Sequence, residues 1–202
     1  MEDRIISWNS DLEQLIAQEA EKSFGLSWLH NQSELYNSFY DTFISIPVII
    51  LSTVAGFLSA SSGSLLPQNT TTSVFLGSIS ISVGILNTIG SKFGFSKLSE
   101  GHRIASIHYS KLHRFLNIEL SLPRKERKDA NNMLKLIRED IDRLKETAPP
   151  IHQVIVKKFN DKFKNEPNIA KPDITNGLSK IDIYNEFIPS PKPESNVKVS
   201  IV

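Results

Sequence analysis

From residue 42 to residue 91 the chain carries fifty consecutive positions without an Asp, Glu, Lys, Arg or His. Two apolar stretches fill this block: ISIPVIILSTVAGFLSA lies within 42–62, and SVFLGSISISVGILNTIG lies within 70–91. Each is about 20 residues long, the length a helix needs to cross a hydrocarbon core of about 30 Å. The intervening SGSLLPQNTT holds Gly63, Pro67 and Asn69, which break helices and make turns. A core hairpin of a water-soluble helical protein usually keeps one charged face on each helix, and neither stretch has one. The pattern predicts an all-α membrane protein. It has a two-span transmembrane hairpin (spans about 42–62 and 70–91), a cytosolic helical bundle and an extended C-terminal tail.

Within the spans the small and polar residues are periodic. Ser73, Gly77, Ser80, Gly84, Asn87 and Ser91 recur every three or four residues, which places them on one helix face. Ser45, Ile49, Ser52, Gly56, Ser59 and Gly63 repeat the rhythm in the first span with one large member. Small residues let membrane helices approach closely, and hydroxyls can bond across such a contact. Two readings follow. The stripes pack against each other or against a neighbouring copy, or the second span's stripe lines a narrow polar pore in an oligomer. Asn87 is the most polar group at membrane depth and needs a partner or water.

Outside the spans the periodicity is that of amphipathic helices. Ser10 and Glu13 fit a capping box, Leu12, Leu15, Ile16 and Ala20 mark a helical face, and Gly25 is placed to end or bend that helix. Trp28, Tyr36 and Tyr40 then suit either an approach to the membrane interface or packing against the other cytosolic helices. After the second span, 96–121 reads as helix and Pro123 separates it from the next. Leu134, Ile137, Ile141 and Leu144, flanked by Ala130 and Ala148, form an apolar stripe that needs a partner. The post-span helix with Ile104, Ile107, Leu112 and Phe115 is the nearest candidate. Pro149-Pro150 stops the stripe, and 151–164 forms a short basic helix. Five of the ten prolines lie in 166–202, which reads as extended or disordered, with short strand-like runs at 181–184 and 197–199.

Charge sharpens this organisation. The net charge is −6 over 1–41, zero over 42–91, +8 over 92–165 and −1 over 166–202. Lys92, Lys97, Arg103 and Lys111 closely follow the second span, while the connecting loop is uncharged; the positive-inside rule therefore puts both termini in the cytosol. The chain divides into an acidic amphipathic arm (1–25), the hairpin (26–95), a basic helical region (96–165) and the tail. Arm and basic region lie on one side of the membrane and are expected to pack together. Anionic headgroups are a second expected partner of the basic residues, and the tail a site for a protein partner. Nucleic acid is not expected, because the basic residues interleave with acids on helices tethered near a bilayer. Met1-Glu2-Asp3-Arg4 opens no signal peptide, so the spans must direct their own insertion.

Little chemistry is marked out. The absence of cysteine excludes disulfides and thiolate sites. No phosphate loop, His-Glu-x-x-His or Gly-x-Ser-x-Gly occurs, so neither catalytic nor metal residues are assigned. An enzyme is not expected, nor is a cofactor. His102 and His113 lie eleven residues apart on one possible helix face, too far for one metal within one helix, and read as surface or interhelical.

An aromatic-bearing helix, two spans and Glu100-Gly101-His102-Arg103 just beyond the second span together resemble the SLATT family of two-transmembrane domains. The segments that carry the resemblance are LYNSFYDTFISIPVIILSTVAG, KLSEGHRIASIHYSKLHRFLNIELSL and APPI, within roughly 24–160. Glu100, His102 and Arg103 are the family-like motif. Leu-Ser-Leu-Pro followed by Arg-Lys-Glu-Arg-Lys looks like members from large DNA viruses and protists. The resemblance implies membrane pores, formed as effectors coupled to nucleotide-sensing partners, although no sensor is fused here. A viral member implies instead a virion membrane protein tying a bilayer to a coat. The sequence thus favours a homo-oligomeric protein of membrane structure and assembly, with a pore or channel-like effector as the alternative.

Overall fold

A computed structural model of the chain describes residues 6–61, 70–166 and 168–176. Within them every regular element is helical: α1 (Ser10–Ala60), α2 (Thr70–Phe93), α3 (Phe95–Ser121), α4 (Ala130–Thr147), α5 (Gln153–Lys162) and α6 (Asp173–Asn176), with a 3-10 turn at Arg124–Glu126. The connecting loop and the strand-like runs at 181–184 and 197–199 lie outside the described residues.

The first helix is 51 residues long, roughly 75 Å at about 1.5 Å per residue. Its cap is Asn9, one residue before the expected Ser10: the Asn9 side chain accepts from Leu12 N at 2.8 Å. Asp11 and Glu13 then place negative charge in the first turn, where the helix dipole favours it. α1 does not end at Gly25 but runs on through Pro47 to Ala60. Gly25 serves packing instead: a Cβ there would meet the Pro172 ring at 2.7 Å and Phe159 at 3.3 Å.

Both α1 and the α2–α3 run contain segments long and apolar enough to cross a membrane. α2 and α3 meet at Gly94, whose φ of 62° is left-handed and suits glycine. Backbone bonds from Gly94 N to Gly90 O (2.9 Å) and Leu98 N to Gly94 O (3.0 Å) carry the chain across the junction. α1 therefore has one long antiparallel partner, packing against α2 at its apolar end and α3 at its polar end.

The core sits at the polar end. Leu12, Ile16 and Ala20 of α1 meet Ala105, Tyr109, Leu112 and Leu116 of α3, and Ala130, Met133, Ile137 and Leu144 of α4 close over them. Leu134, Ile141 and Ala148 lie half-buried against the same cluster, so the expected α4 stripe is a packing face, with Met133 added. The α3 partner face differs from the expected one. Leu112 is buried, but Ile104 and Ile107 are 45% and 41% exposed, because the face turned to α1 and α4 runs through Ala105 and Tyr109. A second cluster joins Leu29 to Ile155 and Phe159 of α5.

Two prolines dock the C-terminal elements onto helix glycines. Pro172 lies on Gly25, and Pro149 approaches Gly101 so that a Cβ there would meet its ring at 2.7 Å. The start of the region expected to be extended is thus ordered against α1. Pro172 is buried, α6 follows it, and Ala170 N donates to Glu21 at 2.7 Å.

Candidate functional site

The apolar arms of the hairpin are held together by large side chains. Ile44, Val48, Leu51, Ala55 and Leu58 of α1, and Leu76, Ile79, Val83, Leu86 and Gly90 of α2, are half-buried. Gly90 is close enough that an added Cβ would touch Ile44 at 3.5 Å. The stripe residues Ser73, Gly77, Ser80, Gly84, Asn87, Ser91, Ser52 and Gly56 are all exposed. The two stripes therefore do not pack against each other. A Cβ added at Gly56, Gly77 or Gly84 meets nothing within 4 Å.

Each stripe lies one residue C-terminal to its helix's packing positions, a rotation of about 100°. In antiparallel helices this rotation turns both stripes to the same side. One broad face of the hairpin is consequently paved with glycine and serine from both arms. At its polar end a groove of about 520 Å³ is lined from both arms, by Ser45 and Ile49 on one side and Asn87 and Ser91 on the other. Higher on the arms the hydroxyls are spent on their own helices. Thr53, Ser80, Ser82 and Thr88 donate to the carbonyl four residues back at 2.7–3.0 Å, and Ser78 to the one three back at 2.7 Å.

Where the arms meet the polar end, aromatic rings gather. Tyr40 stacks on Phe95 (centroids 5.5 Å), Phe93 on Phe95 (5.4 Å), and Tyr36 packs edge-on to Tyr40 (4.9 Å). Trp28 belongs elsewhere: it packs edge-on to Phe159 and Phe163, both at 5.6 Å, beside α5.

Glu100, His102 and Arg103 divide into two structures. Arg103 donates from Nε and Nη2 to the two Glu100 carboxylate oxygens at 2.8 and 2.7 Å on the exposed side of α3. His102 faces the other way and is buried; its Nδ1 lies 2.8 Å from Nδ1 of His30 on α1. The His30 ring also stacks on Tyr109, with centroids 5.6 Å apart and planes 11° apart. Burial, and secondarily the facing His102, push His30 down to about 4; burial also lowers His102. Below this pair, Ser27 and Ser106 exchange bonds, each hydroxyl donating to the other's carbonyl at 3.0 Å. His113 shares the α1-facing side of α3, as the eleven-residue spacing suggested, with Nδ1 2.9 Å from Ala20 O.

Among the described residues the acidic arm meets the basic region at one carboxylate. Arg124 grips Glu13 with two bonds of 2.8 Å, and Arg127 adds a third. Arg127 also donates to the Leu122 and Leu120 carbonyls at 2.8 and 3.0 Å, capping the end of α3. These donors, Arg124 first, hold Glu13 down at about 2. Sequence reasoning missed the His30–His102 pairing and the role of Asp41, which lines the groove beside Ser45; the heptad-like spacing of His30, Asn37 and Ile44 was the available signal. Among the described residues no three His, Asp or Glu side chains converge as a metal site would require. No family model, no curated protein and no solved structure matches the chain.

Proposed function

We propose that the protein is a two-span integral membrane protein that acts in membrane structure and assembly. Its hairpin crosses the bilayer, and its helical bundle stands on the cytosolic side with both termini. Several observations support the bilayer. The most apolar windows of both arms contain no buried residue, and Phe43, Ile49, Phe57, Val74, Phe75 and Ile81 are each more than half exposed. An apolar surface of that extent calls for lipid or a partner. The aromatic cluster at the base suits an interfacial belt, and Lys92 and Lys97 just beyond it fit the positive-inside rule.

The observation that carries assembly is the small-residue face. The aliphatic seam already closes the hairpin, and glycines and serines of both arms lie exposed on a face that can receive another copy at close range. The bundle and the chain beyond residue 176 then serve as the cytosolic adaptor, a role that accords with the virion-membrane reading of the SLATT-like resemblance. The exposed Asn87 favours a second reading, a polar oligomeric pore.

Two experiments test these readings. Accessibility labelling should modify a cysteine at Gln68 only from outside and one at Lys97 only from the cytosolic side; labelling of both from one side defeats the hairpin. Gly84→Leu should dissociate the oligomer of a packing face. In a pore it should block conductance and leave the oligomer intact. Reconstituted oligomers that never conduct reject the pore.

A further inference from the structure

At the inner end of the hairpin one groove gathers six polar side chains that make no hydrogen bond or ion pair among the described residues: Asp41, Ser45, Asn87, Ser91, Ser96 and Lys97. This sets them apart from the hydroxyls higher on the arms, which bond back to their own helices. Asp41 and Lys97 have opposite charge and line the same groove, yet are not paired with each other. Asp41 immediately precedes the fifty uncharged residues, and Lys97 follows them by six positions. Asn87 lies about 6 Å further along α2 than Ser91. The groove thus spans the level at which headgroups meet hydrocarbon, if the hairpin crosses a bilayer; the inference rests on that reading.

We infer that this groove is a headgroup site for an aminophospholipid of the phosphatidylethanolamine class. The phosphate accepts from the Lys97 ammonium and the Ser91 and Ser96 hydroxyls, and the Asn87 amide, about 6 Å deeper than Ser91, donates to an acyl ester carbonyl. The primary ammonium donates to the Asp41 carboxylate. A charge-assisted bond at each end is stronger than a neutral one. A zwitterion satisfies both unpaired charges at once. A choline headgroup has no N–H to give Asp41. A purely anionic headgroup leaves Asp41 unpaired and sets phosphate against carboxylate. The volume, about 520 Å³, is within the usual range of small-ligand sites of roughly 300–1,000 Å³.

The test uses the full chain reconstituted in vesicles of phosphatidylcholine, phosphatidylethanolamine and phosphatidylglycerol. After flotation and gentle solubilisation, the retained lipids are quantified by mass spectrometry. Phosphatidylethanolamine should be enriched about tenfold over phosphatidylcholine. Asp41→Asn and Lys97→Gln should return the composition to bulk while flotation and melting stay unchanged. Glu100→Gln, outside the groove, should keep the enrichment. Bulk composition in the unsubstituted protein overturns the inference, as does enrichment that survives Asp41→Asn or favours phosphatidylglycerol. If Asp41→Asn instead dissociates the oligomer without changing the lipids, a second copy fills the groove and the inference falls. A chain that does not float defeats the bilayer reading as well; one that floats with bulk lipid defeats only the headgroup site.

Discussion

His30 and His102 face each other across α1 and α3 with their Nδ1 atoms 2.8 Å apart and both side chains almost wholly buried. One Nδ1–H donates and the other Nδ1 accepts, so the accepting ring must be neutral with its proton on Nε2. A second proton removes the acceptor and sets two buried cations side by side.

Stability should therefore fall as the medium becomes mildly acidic. An unfolded histidine takes its proton near 6.5, whereas burial holds His30 down to about 4. Between these values the unfolded chain binds more protons, so unfolding is favoured as pH drops through that window, and the contribution is complete above it. The loss for His30 is on the order of 2–3 kcal/mol. Denaturation monitored by helical circular dichroism at pH 7.5 and pH 4.5 measures it. His30→Leu combined with His102→Leu should flatten the curve between them.

Glu13 should produce a separate acid limb. The hydrogen bonds from Arg124 and Arg127 hold its carboxyl near 2 against an ordinary value of 4.5. Its contribution is present above 4.5 and lost as pH falls toward 2. Glu13→Gln should melt below the unsubstituted protein at pH 7, and the difference should vanish near pH 2. A constant difference across that range would mean the arginines do not depend on the carboxylate's charge.

The glycines of α1 and α3 offer a test of opposite expectations. In an exposed helix interior, Gly→Ala stabilises by about 1 kcal/mol. At Gly25 and Gly101 the new methyl would stand 2.7 Å from the rings of Pro172 and Pro149. Overpacking of this kind costs typically 1–3 kcal/mol. Gly25→Ala should therefore lower the melting temperature and speed hydrogen exchange in 168–176, and Gly101→Ala should do so around 148–151. Stabilisation by either would show that the proline docks elsewhere.

The legibility of this chain in its sequence follows the range of the forces involved. The hairpin arms were plain because fifty uncharged residues have few other uses, and the α4 stripe because 3.6-residue periodicity is local. Gly25 misled because a glycine that ends a helix and one that admits a proline from residue 172 look alike in sequence; only the long-range contact separates them. The small-residue stripes were found, but their direction was not. Seeing that Leu76, Ile79, Val83 and Leu86 form the intramolecular seam requires the rotation of α2 about its axis, which periodicity leaves free. Glu100-Gly101-His102-Arg103 concealed a split for the same reason. Glu100 and Arg103 are three apart and pair with each other, while His102 finds its partner 72 residues away.

The choice of face on α3 is open to a direct comparison between two isoleucines. Ile137 of α4 is 5% exposed among Ala105, Tyr109, Leu112 and Leu116, and Ile107 of α3 is 41% exposed on the opposite side of the same packing. Ile137→Asp introduces a carboxylate into a site with no partner for it, at a cost of about 3–5 kcal/mol. It should also make the bundle sensitive to protease without displacing the apolar arms. Ile107→Asp makes the same chemical change where the new group remains hydrated, and should shift stability by no more than about 0.5 kcal/mol. The sequence alone ranked these positions as partners, so it expects both substitutions to be costly. Equal and severe loss in limited proteolysis would put Ile107 back at the α4 contact and overturn the packing described for Ala105 and Tyr109. Equal tolerance would mean that α4 is not docked on α3, and its apolar stripe would then lie against the bilayer surface with its basic side chains among the headgroups.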